Sequence, residues 1–159
     1  MITKVQKSRK EYKCSKCGKT IPAGSSYLRG DLNFSKPIIR CVQCGLKHYE
    51  VTTSDYVRSV GAIVEDWPDF YTADECGRDE MVAELESIMD DLQDRLDNMP
   101  EGLQQGDTGM LLEERISGLE AAISDLESID FEEVDEADED TEEDDYAELI
   151  NNALSNIDY

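Results

Sequence analysis

Cysteines fall at Cys14-x2-Cys17-x23-Cys41-x2-Cys44, two Cys-x-x-Cys pairs, each followed directly by glycine (Gly18 and Gly45). The stretch they bracket is poor in core-forming side chains, so a fold there needs a staple other than apolar burial. Each pair can bring two sulfurs to one ion across a tight turn, and two pairs complete a tetrahedral set. Four thiolates leave no position for water, so the predicted centre is structural: one zinc ion held by Cys14, Cys17, Cys41 and Cys44. Iron accepts the same ligands, but nothing else in the chain suggests electron transfer. His48, four residues after Cys44, is expected to be a surface histidine. The fifth cysteine, Cys76, has no partner at metal spacing and is expected to be a half-buried free thiol.

Around the pairs, Ser26–Arg29 and Pro37–Arg40 are predicted to be short strands joined by a hairpin loop over residues 30–36. The segment 1–65 is thus expected to be a basic zinc-binding module of α+β type. The break at Asp66-Trp67-Pro68-Asp69-Phe70, where the residue before proline is driven out of helical geometry, marks its end. Trp67, Phe70 and Tyr71 are expected to pack the next region onto the zinc module.

Beyond the break the period changes. Met81, Leu85, Ile88, Leu92, Leu96 and Met99 lie three or four residues apart, as do Leu112, Ile116, Leu119, Ile123 and Leu126. Such spacing lays one apolar stripe on each of two helices. With Pro100-Glu101-Gly102 between them, residues 66–130 are predicted to form an α-helical hairpin, an antiparallel coiled coil closed within the chain. A coiled-coil dimer is the alternative. Residues 131–159 are expected to be an acidic disordered tail ending in a short amphipathic helix. Carboxylates dominate from Asp130 to Asp145, and Tyr146, Leu149, Ile150, Leu154 and Ile157 then mark the apolar face of that helix.

Charge is divided unevenly as well. Residues 1–50 hold eleven basic and three acidic side chains, +8, whereas the remainder holds four basic and 35 acidic, −31, giving the net −23. Such asymmetry speaks about partners rather than fold. No apolar run spans a bilayer, and the N-terminal stretch lacks the apolar segment of a signal peptide. With thiols suited to a reducing compartment, a cytoplasmic protein without membrane contact is expected.

Two resemblances add to this. Cys41-Val42-Gln43-Cys44-Gly45-Leu46-Lys47-His48-Tyr49 resembles the second cysteine pair of GATA-type fingers, which implies a treble clef with the last ligands at a helix start. The spacing between pairs is longer than in that family, and acidic residues replace its basic tail. A zinc ribbon, with the second pair on another β-knuckle, is the other reading. More broadly, the order of an Arg-Lys-Glu-Tyr-Lys-Cys lead-in, a second cysteine pair, and Met99-Pro-Glu-Gly-Leu-Gln104 with Thr108-Gly109 resembles small zinc-finger proteins of bacteriophage and prophage genomes. This group implies a setting, the cytoplasm of a bacterial host, and no activity.

No histidine, acid or nucleophile forms a catalytic constellation, so the chain is expected not to be an enzyme. The first expectation for function is an adaptor or regulator acting through protein–protein interaction. In it, the face of Tyr146, Leu149, Ile150, Leu154 and Ile157 docks in a partner groove. The second is nucleic-acid binding through Lys7, Arg9, Lys10, Lys13, Lys16, Lys19 and Arg40, with Tyr12 and Tyr27 available for stacking and the acidic C-terminal region as an internal competitor.

Overall fold

Short strands build the first part of the chain. The computed structural model describes residues 1–32, 35–131 and 139–159, and it divides into two compact units, Met1–Ser59 and Val60–Tyr159. In the first, β1 (Ile2–Val5), β4 (Tyr27–Gly30) and β5 (Ile38–Cys41) form an antiparallel sheet in the order β1-β4-β5. Tyr27 lies opposite Cys41 and also opposite Val5. A second hairpin pairs β2 (Tyr12–Lys13) with β3 (Thr20–Ile21). The two predicted strands are therefore present. The basic lead-in, to which the sequence assigned no strand, contributes β1 and β2.

The core of this unit is small: Cys14, Ile21 and Tyr27, flanked by Val5, Tyr12, Ile39, Cys41 and Cys44. One of the four paired cysteines, Cys14, thus belongs to the core itself, and Cys41 and Cys44 pack against it. A single 3-10 turn, His48–Val51, follows before α1 (Asp55–Asp66) carries the chain from this unit into the next. The division falls inside α1, between Ser59 and Val60, rather than at Asp66. α1 ends at Asp66, where the sequence places the break, but Val60, Ile63 and Trp67 are buried at helical spacing and belong with the second unit.

The second unit is helical. α2 (Glu75–Asp97) and α4 (Asp107–Glu127) form the expected hairpin, with a single short helix, α3 (Glu101–Gln104), in the connection. Arg78 near the start of α2 donates from Nη1 to the carbonyl of Ile129 just past α4, 2.9 Å, which fixes the antiparallel sense. Met81, Leu85, Leu92, Leu119 and Leu126 are fully buried, each contributing about 1.5–3 kcal/mol. Both long helices begin in the same way. A Cβ on Gly77 would stand 2.1 Å from the Thr72 carbonyl oxygen, and one on Gly109 would stand 1.9 Å from that of Gln104. At each start the chain five residues upstream lies directly on the first turn, where only glycine fits.

α5 (Glu139–Leu154) corrects two expectations. Residues 139–145, expected to be extended, are helical. The buried C-terminal half supplies a nucleus from which the helix extends. The acidic run 132–138 lies outside the described residues. In addition, the terminal helix does not hang free: Ile150, Ala153, Leu154 and Ile157 are buried, and α5 packs on α4 within one unit that contains the hairpin. Phe131 and Tyr146 stack at 4.7 Å, Asn156 Nδ2 donates to Asp125 Oδ2 at 3.0 Å, and Trp67 Nε1 donates to Asn151 Oδ1 at 2.8 Å. Trp67 is thus a core residue of the helical unit, whereas Phe70 is exposed.

Candidate metal centre

Hydrogen bonding of the backbone places the first pair. Cys14 follows β2, its N–H donates to the Lys19 carbonyl at 2.9 Å, and Gly18 N–H returns to the Cys14 carbonyl at 3.0 Å. The turn requires a positive φ at Gly18, 69°, where any other residue would be strained. The second pair turns at the end of β5 through a different bond, Cys44 N–H to the Cys41 carbonyl at 3.1 Å, and shares the positive φ at its glycine, Gly45, 65°. The two knuckles are joined directly. Ser15 N–H donates to the Ile39 carbonyl at 2.8 Å, and Cys41 N–H reaches Cys14 Sγ at 3.4 Å.

As a result, the sulfurs of Cys14, Cys17, Cys41 and Cys44 all lie within 4.8 Å of one another, with Cys17 and Cys41 at 3.9 Å. None forms a disulfide. Tetrahedral bonds of about 2.3 Å to one ion set sulfur–sulfur separations of about 3.8 Å, so the cluster has the dimensions of a four-thiolate metal site. These four residues could hold a metal ion.

Proton affinities are divided within the cluster. Burial raises the Cys14 thiol, but the N–H groups of Cys17, Cys41 and Lys16 outweigh it and bring its pKa down to about 6. Cys44 is pushed up to about 12 by hydrogen bonding with Cys41 and Cys17 and by burial. Neighbouring hydrogen bonds thus push Cys14 and Cys44 in opposite directions.

His48 is exposed and does not belong to the cluster. Cys76 is exposed as well, not half-buried, because it sits in the first turn of α2. Neither Cys41 nor Cys44 lies in a helix, and the 3-10 turn begins four residues after Cys44.

Of the predicted cations, Lys7, Arg9, Lys10, Lys13, Lys16 and Lys19 are all exposed. Arg40 is not among them. Its Nε donates to Ser15 Oγ at 2.9 Å, its Nη2 pairs with Glu50, and its side chain is only 13% exposed, so it is already engaged within the module and is not a free surface cation. Tyr27 is also unavailable for stacking, since it is buried against Cys14 and Ile21, and Tyr12 rests on it at 5.1 Å. Glu50 counts in the sequence only as an acid after the second pair, and its structural role is not visible there. Its spacing from Lys47 was the one available signal, since the Glu50 carboxylate caps the Lys47 N–H at 2.9 Å.

Tyr146, Leu149, Ile150, Leu154 and Ile157 divide between core and surface. Ile150, Leu154 and Ile157 are buried in the chain's own unit, Tyr146 is half-buried against Phe131, and Leu149 is 47% exposed. An amphipathic face seeks the nearest apolar surface, and α4 supplies it. Among the described residues, no helix is long and apolar enough to cross a membrane. No family model, curated protein or solved structure matches the chain.

Proposed function

We propose that residues 1–59 are a non-enzymatic zinc module of zinc-ribbon type that presents a cationic surface to the phosphates of nucleic acid. Zinc is favoured over other ions by four thiolates in closed tetrahedral array, with no position left for a substrate. Two knuckles, each closed by a glycine of positive φ, support a ribbon rather than a treble clef. The observation that carries the proposal is the exposure of Lys7, Arg9, Lys10, Lys13, Lys16 and Lys19, of which Lys13, Lys16 and Lys19 lie on the first knuckle or beside it. Binding of this kind depends on counterion release and weakens steeply with salt. The acidic remainder of the chain, at −31, weakens it further by repelling phosphate.

The test is fluorescence anisotropy with labelled single-stranded and duplex oligonucleotides, using zinc-loaded residues 1–65 beside the full chain. The short form is expected to bind with a steep salt dependence, and the full chain more weakly. No binding by the short form at low salt rules the proposal out.

The adaptor reading keeps one supporting observation. Leu103, Met110 and Leu111, around α3 and the start of α4, are 58%, 61% and 44% exposed. Affinity purification from the native cell, with and without nuclease, separates the two readings. Partners lost on nuclease treatment favour nucleic acid, and partners retained favour a protein.

A further inference from the structure

Arg40 looks like a surface cation in the sequence, yet every edge of its guanidinium is occupied or closed. Nε donates to Ser15 Oγ, and Ser15 stands between Cys14 and Cys17 in the first knuckle. Nη2 is paired with Glu50 Oε1, and Nη1 is buried with no hydrogen-bond partner among the described residues. Glu50 in turn uses its second oxygen to accept from Lys47 N–H, in the segment that leaves the second knuckle. A line of polar contacts therefore runs from the first knuckle, through Arg40 beside Cys41, to the chain that follows Cys44.

A surface ion pair would carry little meaning, because water and salt screen it and its worth is about 0–1 kcal/mol. This one differs, with side-chain exposures of 13% and 19%. A shielded pair suffers a desolvation penalty that often cancels its attraction, so stability alone does not account for it. What it provides is fixed geometry: a planar donor fork holding two partners at set angles. The sulfurs it flanks need such support, because four thiolates around a divalent ion leave excess negative charge and must be brought together against their mutual repulsion. Groups that orient ligands from behind typically alter metal affinity by about 10–100-fold when removed.

We propose that Arg40 is a positioning residue of the metal centre: together with Ser15 and Glu50 it braces the two knuckles at the separation the ion requires, and so slows metal release. The proposal rests on the zinc reading given above.

Release of zinc from the loaded full chain to excess chromogenic chelator tests it, with metal content measured first. Arg40→Met and Glu50→Gln are expected to release zinc about 10-fold faster or more. The combined Arg40→Met and Glu50→Gln variant is expected to be no worse than Arg40→Met alone, as required of two groups that act through one contact. Arg40→Lys keeps the charge without the fork and should fall between Arg40→Met and the native chain. It also provides the measurement if Arg40→Met cannot be loaded. Thermal unfolding of the helical unit should be the same in all of them, which separates positioning from general damage. Release at the native rate in Arg40→Lys and Glu50→Gln, or effects that multiply in the combined variant, would overturn the brace. An unaltered chain without stoichiometric metal fails at the first measurement instead, and that result overturns the zinc reading itself.

Discussion

The two units solve the same problem by different means. Met1–Ser59 has strands of two to four residues and a core cluster of three buried side chains, one of them Cys14. Val60–Tyr159 buries Leu, Ile and Met from three long helices, and its stability comes from apolar area. A short segment with few apolar residues offsets little of its ordering entropy by burial, and its four clustered cysteines could supply the difference by holding an ion. The comparison predicts that the units respond independently to the removal of metal and to the truncation of core side chains.

Chelation should have the largest effect. Stripping metal from the full chain is expected to abolish amide-exchange protection in residues 1–59 and to leave the far-ultraviolet helical signal nearly intact. Cys14→Ser and Cys41→Ser should do the same without chelator. If the first unit keeps its protection in the metal-free state, the contrast between the units is wrong. The converse cut is Leu119→Ala, which should cost the helical unit about 2–5 kcal/mol in denaturant unfolding. Metal content should stay unchanged.

Gly109→Ala is expected to cost somewhat less, about 1–3 kcal/mol, since the new methyl meets the Gln104 carbonyl. A neutral result would mean that the corner relaxes freely. Asp74 caps α2 by accepting from Gly77 N–H at 2.8 Å, and its loss in Asp74→Ala should cost about 1 kcal/mol. The Gly77 N–H and the Thr72 hydroxyl hold the Asp74 carboxyl below the ordinary range. The stabilisation is therefore present above the unfolded-state pKa of about 4 and is lost as pH falls through the lower folded value. Unfolding midpoints of the native chain and Asp74→Ala should converge only in acid. Cys76→Ser, at an exposed position outside the cluster, should change neither metal content nor stability.

Much of this was legible. The two cysteine pairs named the four sulfurs that come together, and the three- and four-residue spacings named the hairpin core from Met81 to Leu126. Both signals are local in origin, since a tight turn fixes two sulfurs and a helical period fixes a face. The division at Ser59 leaves the charge sums of +8 and −31 as they were, because Asp55 and Arg58 cancel. Where sequence reasoning failed, the deciding partner lay far along the chain. Arg40 looked free because Ser15 and Glu50 are 25 and 10 residues away. The face of Ile150, Leu154 and Ile157 looked available because sequence shows amphipathicity without showing what covers it.

The amino-acid sequence by itself determined which four cysteines pair off for the cluster, the helical periods and the division of charge, since each depends on residue type at short separation. Only the tertiary structure decided that the terminal helix joins the hairpin core, that Tyr27 lies inside, and that Arg40 turns toward the knuckles. Those outcomes depend on which surfaces meet across long separations, and apolar burial and shielded charge take effect only once the chain has brought them together.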